Sequence, residues 1–196
     1  MTVVRQTNVP RYADFRKYRP FLRTDFLYRC AYCQHHERRF SQLASMSIDH
    51  YRPKSVFPRF VADYANLYYC CGECNTRKGN HWPSQDELNA RVGFLDVCQH
   101  EWAEHLAVTE DVFQGKTPIG KYTVEHVQLS REMLTERNRQ WRKKEADARD
   151  ELARIDGMRQ RFGPDIDPET VHDLLIWQHN AQARLNEAIS PEPFED

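Results

Sequence analysis

The chain has 196 residues and a mass of 23.4 kDa, enough for one ordinary domain with an appendage and too little for two large enzyme domains. Hydrophobic residues make up 40% and charged residues 29%, which excludes a chain that is disordered throughout. No apolar run approaches the roughly 20 residues that cross a bilayer, and the start of the chain lacks the apolar stretch of a signal peptide. We therefore expect a soluble, cytoplasmic protein with no membrane partner.

The net charge of −1 hides a strong asymmetry along the chain. Residues 1–80 contain 14 Lys and Arg against 6 Asp and Glu, whereas residues 81–196 contain 14 against 23. A basic first segment suits a polyanion such as nucleic acid, and the acidic remainder does not. Basic surface also serves simply to keep a domain soluble, so charge alone leaves the partner open.

The basic segment begins with cations interleaved among aromatic residues, and it predicts an N-terminal basic helical arm. The cations are Arg16, Lys17, Arg19 and Arg23, and the aromatic residues are Tyr12, Phe15, Tyr18 and Phe21. These aromatic side chains could stack on unpaired bases. Packing onto the core is the favoured alternative, because a small core needs apolar filling.

Two pairs of cysteines with a two-residue gap form the strongest single motif. Cys30 and Cys33 make the first pair, and Cys71 and Cys74 make the second after 37 intervening residues. In a reducing compartment such pairs favour metal ligation over disulfides, and four thiolates close a tetrahedral structural zinc site. Cys70 is a possible competing ligand, but its three-residue gap to Cys74 matches the first pair less well, so we prefer Cys71.

Other possible metal ligands receive a structural interpretation. Cys98 lies near His100 and His105, but no fourth ligand is evident, which favours a buried free cysteine beside two surface histidines. His35 and His36, just after the first cysteine pair, are interpreted in the same way.

The segment between the cysteine pairs predicts a strand, loop, strand and helix. Residues 47–54 favour a short strand ended by Pro53, and residues 66–70 favour a second strand that begins at Asn66. Residues 74–78 predict a brief helix that ends at Gly79. Zinc would then hold the two ends of this core together.

Several polar residues in this segment recur in a known order. Over residues 27–81 the chain resembles the HNH endonuclease family, which has a ββα-metal core. The residues that carry the resemblance are Cys30, Cys33, Asp49, His50, Pro53, Asn66, Leu67, Cys71, Cys74, Asn75, Lys78 and Gly79. Many members carry histidine where this chain has Asn75, although asparagine is a known alternative. The resemblance implies metal-dependent hydrolysis of phosphodiester bonds, with DNA as the favoured substrate and a 5′-phosphate and a 3′-hydroxyl as products.

Each polar candidate residue of this segment has an expected role in phosphodiester hydrolysis. Phosphodiester hydrolysis needs a base for the attacking water, and histidine is neutral near pH 7, so His50 is the candidate general base. The resemblance implies that Asp49 and Asn75 ligate one Mg²⁺ or Mn²⁺ ion and that the side-chain amide of Asn66 orients the loop after His50. Taken singly, an Asp-His dipeptide is more often a hydrogen-bonded pair, and an Asn before a strand is more often a turn residue.

Cations surround the proposed core and are candidates for phosphate contacts. They are Arg52, Lys54, Arg59, Arg77 and Lys78. Contacts of this kind set affinity and salt dependence without reading bases. They therefore do not separate DNA from RNA.

Residues 84–129 predict a mixed α/β extension. A short helix or turn is followed by a strand or hairpin near residues 105–113 that ends close to Gly115. Thr117 and Pro118 favour a helix to about Leu129, although residues 122–124 would also suit a strand. The stretch GKTPIGKYTVEHVQLSRE also resembles a segment that follows the core in HNH proteins of bacterial anti-phage systems.

Residues 130–196 predict an antiparallel helical hairpin. Ser130 is expected to cap the first helix, Gly157 and residues 162–164 to break it, and Asp167 to begin the second. The hairpin either packs on its own domain or docks a partner or a second copy of the chain. Resemblance to Septu-type systems suggests an ATPase partner subunit. No Gly-rich phosphate loop occurs in this sequence, so any ATP hydrolysis would have to come from such a partner.

The sequence as a whole predicts an α+β protein in three parts: residues 1–83 with the basic arm and nuclease core, 84–129, and 130–196. The favoured function is an HNH endonuclease in anti-phage defence. One alternative is a zinc-stabilised nucleic-acid-binding module with a structural Asp-His pair. Another is an assembly subunit that is active only within a complex with an ATPase.

Overall fold

The computed structural model describes residues 3–40, 45–162 and 167–189, and it confirms the α+β class. The helices are α1 (Arg19–Asp25), α2 (Gly72–Lys78), α3 (Gln85–Asn89), α4 (Trp102–His105), α5 (Pro118–His126), α6 (Glu132–Phe162) and α7 (Pro168–Ile189). The strands are β1 (Met46–His50), β2 (Leu67–Cys71), β3 (Leu106–Thr109) and β4 (Val112–Gly115). The chain forms two compact units, one up to Thr135 and another that begins at Glu136. The finer division at residues 83 and 129 stays a prediction.

The centre of the first unit is the antiparallel pair β1 and β2, followed directly by α2. In the register, Asp49 lies opposite Tyr68 and His50 lies opposite Leu67. Every residue of β2 is buried, which explains why the strand reads as a continuous apolar run rather than an alternating one. In this arrangement α2 packs against the short sheet that β1 and β2 form.

The N-terminal segment packs onto this core. A 3₁₀ turn at Phe15–Tyr18 leads into α1, which buries Leu22, and Tyr18 and Phe26 are buried with it. Arg5 lies over the rings of Phe26, Tyr64 and Tyr68, and its guanidinium donates a 2.7 Å hydrogen bond to the carbonyl of Leu67. The buried positions of this segment therefore serve packing rather than base stacking.

The extension contains the predicted hairpin and helix. Strands β3 and β4 pair antiparallel, and the hydroxyl of Thr117 caps α5 by accepting the backbone N–H of Gly120 at 3.1 Å. The strand alternative for residues 122–124 is wrong, because they lie within α5. A β-carbon at Gly120 would lie 1.9 Å from the carbonyl oxygen of His105, so the close approach of α5 to the end of α4 requires glycine.

The second unit is the antiparallel helix pair that the sequence predicts. Glu151 of α6 contacts Arg184 of α7, and Arg159, further along α6, contacts Gln178, which comes earlier in α7. The two helices therefore run in opposite directions. A small cluster of Ile155, Leu174 and Ala181 forms its centre, with Leu152 against it. The tail 190–196 lies outside the described residues.

Two expectations about α6 are wrong. The helix continues through Gly157 to Phe162, because a solvated glycine lowers helix stability by only about 1 kcal/mol and breaks no hydrogen bond. Ser130 does not cap it, since the helix begins at Glu132 and the Ser130 hydroxyl donates to the carbonyl of Phe113 at 2.7 Å.

Among the described residues, no helix combines the length and the low polarity that a membrane span requires.

Candidate active site and metal centre

Four cysteine thiols converge at one end of the β1–β2 pair. The Sγ atoms of Cys30, Cys33, Cys71 and Cys74 all lie within 4.8 Å of one another, and all four residues are buried. Zinc–sulfur bonds of about 2.3 Å place tetrahedral sulfurs about 3.8 Å apart, so the cluster fits a zinc ion with small adjustments. The predicted four-cysteine cluster is confirmed, and it can hold zinc with no ligand position left open.

Local backbone geometry builds each half of this cluster. The first pair lies in a tight turn in which Gln34 has a positive φ of 57° and donates its N–H to the carbonyl of Cys30 at 2.9 Å. In the second pair, Cys71 is the N-cap of α2 and its thiol accepts the N–H of Cys74 at 3.4 Å. The cysteine spacing thus matches a turn at one pair and a helix start at the other.

The alternative ligands lie outside the cluster. Cys70 is fully buried next to Ser47, and burial raises the pKa of its thiol well above the usual value, so it stays protonated. Cys98 accepts a hydrogen bond from Nε of Arg5 at 3.2 Å, and His105 Nδ1 lies 2.7 Å from the hydroxyl of Thr117. Among the described residues, the four-cysteine group is the only such cluster of three or more His, Cys, Asp or Glu ligands.

Asp49, near the end of β1, is buried and carries strong hydrogen bonds. The hydroxyl of Tyr32 donates to its Oδ2 at 2.5 Å. The ammonium of Lys78 lies 3.1 Å from both carboxylate oxygens and 2.9 Å from the carbonyl of His50. Burial and the Asp49 charge together raise the pKa of Tyr32 well above its usual value, which keeps its hydroxyl a donor.

His50 follows Asp49 and has one ring nitrogen committed. Its Nε2 lies 3.0 Å from the carbonyl oxygen of Val61, and a carbonyl can only accept, so Nε2 carries the proton. Nδ1 is therefore the nitrogen with a lone pair. Burial lowers the pKa of His50 from the usual 6.5, and the nearby Lys54 and Lys78 cations lower it further, against the opposing effects of the Val61 hydrogen bond and the Asp49 charge. The ring is thus neutral at physiological pH, as a general base must be.

Asn66 holds the loop that follows His50. Its Oδ1 accepts the N–H of Arg52 at 2.9 Å, and its Nδ2 donates to the carbonyls of Arg52 and Phe60 at 3.1 and 3.3 Å. The side chain is only 6% exposed, so these bonds lie away from water. This geometry fits the orienting role that the resemblance implies.

The predicted base and metal ligands share one pocket. Asp49, His50 and Asn75 line it, and Phe15, Lys54 and Asn80 complete much of its wall. The ring of Phe15 packs edge-on against His50, with centroids 4.8 Å apart. Asp49 and Asn75 offer a carboxylate and an amide oxygen, the hard ligands that Mg²⁺ or Mn²⁺ prefers, so the donor types fit such an ion.

The predicted phosphate-binding cations divide into two groups. Arg52 and Arg59 are exposed, with their guanidinium groups over the ring of Phe60, and Lys54 is exposed at the pocket. Arg77 is exposed and donates to Gln128 at 2.9 Å. Lys78 must be withdrawn from this set, because its side chain is 0% exposed and its ammonium is bound to Asp49.

Sequence reasoning missed two residues that shape these sites. Tyr32 lies between the cysteines of the first pair, and its position inside a zinc-binding turn was the available signal. Arg131 donates to Glu73 at 3.1 Å and to the thiol of Cys74 at 3.6 Å, so it places a positive charge beside the cysteine cluster. Its distance of 57 residues from Cys74 gave no local signal.

The chain is distantly similar to a known bacterial protein. It is 26% identical over 102 residues to the Septu protein PtuB of Bacillus thuringiensis, a match that covers 52% of this chain. The chain spans little more than a third, 37%, of the length of that relative. No family model and no solved structure matches it. The similarity supports a relation to the Septu protein.

Proposed function

We propose that the chain is an HNH-type endonuclease that hydrolyses nucleic-acid phosphodiester bonds, with DNA as the favoured substrate, in bacterial anti-phage defence. The observation that carries the proposal is the shared pocket of Asp49, His50 and Asn75 beside a closed four-cysteine cluster. The similarity to a Septu protein supports the defence role. The order of the motif residues along the chain supports the HNH assignment.

The surroundings of His50 support its proposed role as the base. Nε2–H is held by the Val61 carbonyl, which fixes the ring and leaves Nδ1 to accept a proton from the attacking water. Asn66 keeps the loop that bears Val61 in place through its bonds to Arg52 and Phe60. The imidazole therefore needs no reorientation before the reaction.

The remaining pocket residues handle charge. Asp49 and Asn75 would hold the divalent cation, which when bound supplies charge neutralisation at the phosphoryl group and the leaving oxygen. Exposed Lys54, with Arg52 and Arg59 on the adjacent loop, would hold the flanking phosphates. Such contacts would bind nucleic acid without sequence preference.

Cleavage by a His50→Ala variant tests the proposal. With Mn²⁺ and plasmid or oligonucleotide substrates, we expect cleavage to fall about 10²- to 10⁴-fold, the usual contribution of a general base. Binding in a gel-shift assay should stay close to wild type, whereas loss of the buried His50–Val61 hydrogen bond should lower the thermal midpoint modestly. A His172→Ala variant, which changes an exposed histidine of α7, is the matched control. Undiminished cleavage by His50→Ala would remove His50 as the base, whereas binding without cleavage by the wild-type protein would favour the zinc-stabilised binding module.

A second proposal concerns assembly. The α6–α7 helix pair forms a compact unit of its own, and the similarity to a Septu protein makes an ATPase subunit our proposed partner. We expect the purified chain alone to cleave weakly and to gain activity in the complex. Vigorous cleavage by the isolated monomer would contradict this.

A further inference from the structure

The proposed metal ligand Asp49 already has a resident cation. The ammonium of Lys78 lies 3.1 Å from both of its oxygens, and the two side chains are 0% and 4% exposed. In a buried pair of this kind the ammonium neutralises the charge of the carboxylate. Their attraction is strong because water cannot screen either charge. An incoming divalent ion must therefore share or displace a partner that is built into the fold.

The pocket has no second carboxylate to offset this competition. Of the described residues that line it, Asp49 alone is acidic, whereas Lys54 is basic and Asn75, Asn80 and His50 are neutral. When the ammonium of Lys78 is counted with Lys54 and Asp49, the sum of the fixed charges around the pocket is positive. Such a field repels a cation and attracts a phosphate.

Magnesium sites with few protein carboxylates are commonly completed by substrate phosphates. We propose that Lys78 makes binding of the catalytic cation depend on nucleic acid: the free protein binds the ion weakly, and the backbone phosphate supplies the missing negative charge. This inference rests on the proposed function, because it concerns the metal ligands named there. Its consequence is that metal and nucleic acid bind cooperatively, each raising the affinity for the other.

The direct test is Mn²⁺ binding to the zinc-loaded, full-length wild-type protein, followed by electron paramagnetic resonance of the free ion. Titrations are run without nucleic acid and with a saturating phosphorothioate oligonucleotide that resists cleavage. We expect the oligonucleotide to raise Mn²⁺ affinity about 5- to 150-fold, the ordinary range of coupling between two ligands. The oligonucleotide alone corrects for Mn²⁺ held by its own phosphates, and an Asp49→Asn protein should lose the gain.

Lys78→Gln tests the cause of the coupling. Removing the ammonium should raise the Mn²⁺ affinity of the free protein and shrink the effect of the oligonucleotide. Lys121→Gln is the matched control, because Lys121 is an exposed lysine of α5 that does not line the pocket. We expect a smaller change in that control, since the exposed charge is screened by water and salt. If Lys78→Gln fails to fold, the wild-type titrations still decide whether metal and nucleic acid bind cooperatively, and non-cooperative binding there overturns the inference.

The outcomes separate this inference from the proposed function. Tight Mn²⁺ binding by the free wild-type protein, unchanged by the oligonucleotide, would overturn the role of Lys78 and leave the nuclease proposal standing. Absence of Mn²⁺ binding in every arm, Lys78→Gln included, would overturn both the inference and the proposed metal site. Cooperative binding that Lys78→Gln weakens and Lys121→Gln preserves would support the inference.

Discussion

The two ends of the β1–β2 pair hold opposite kinds of site. At one end, four soft thiol ligands are buried together and can saturate a zinc ion. At the other, one paired carboxylate, one amide and one neutral imidazole line a pocket that solvent can enter. A closed set of identical ligands suits a permanent structural ion, whereas a sparse and mixed set suits an ion and a substrate that come and go.

The two ends are also physically connected. Tyr32, between Cys30 and Cys33, reaches across and donates its hydroxyl to Asp49 at 2.5 Å. Trp102 in turn donates its indole N–H to the backbone carbonyl of Tyr32 at 3.0 Å, which holds the turn from the other side. Damage at the cysteine end should therefore reach the pocket, whereas removal of a pocket side chain should leave the cysteine end intact.

Breaking the cysteine end should produce the largest effect. A Cys71→Ser protein loses one zinc thiolate, and structural zinc contributes about 10–16 kcal/mol of apparent binding free energy to folding at neutral pH. We expect loss of bound zinc by metal analysis and loss of the near-ultraviolet circular dichroism of the aromatic core. Cys70→Ala is the control, since Cys70 is equally buried but lies outside the cluster. Stoichiometric zinc in a folded Cys71→Ser protein would contradict the assignment.

Breaking the support of the pocket should have a moderate effect. Asn66→Ala leaves the N–H of Arg52 and two carbonyls without their partner, which costs about 1–3 kcal/mol for a buried unsatisfied group. We expect a lower unfolding free energy in urea, reduced cleavage, and unchanged zinc content. The control is Asn80→Ala, because Asn80 is exposed at the same pocket. Equal stability losses in both variants would argue against a positioning role for Asn66.

The smallest effect concerns pH. Burial lowers the pKa of His50 from the usual 6.5, so the ring remains neutral to a lower pH than an ordinary histidine does. Cleavage should therefore fall only as the pH drops through that lowered pKa. Lys54 contributes to the lowering, so Lys54→Gln should move the acid limb of the kcat/KM profile toward higher pH. A profile with its acid limb above pH 6.5 in the wild-type protein would contradict the environment assigned to His50.

Much of the first unit could be predicted from local patterns in the sequence. The expected strands at residues 47–54 and 66–70 correspond to β1 (Met46–His50) and β2 (Leu67–Cys71), and the expected end of α2 at Gly79 is correct. Gly79 has a positive φ of 52°, which a glycine adopts without steric cost. Helix α2 begins at Gly72, two residues before the predicted start, because the thiol of Cys71 caps the helix by accepting the N–H of Cys74.

By itself, the sequence determined the α+β class, the four-cysteine cluster and the candidates Asp49, His50 and Asn75, because spacing and residue type are local properties of the chain. Only the tertiary structure decided the direction of each side chain. Lys78 turns inward to Asp49 across 29 positions, and Tyr32 reaches the same carboxylate across 17. Such pairings depend on how strands and turns pack, since a buried charge takes the partner that folding brings within reach.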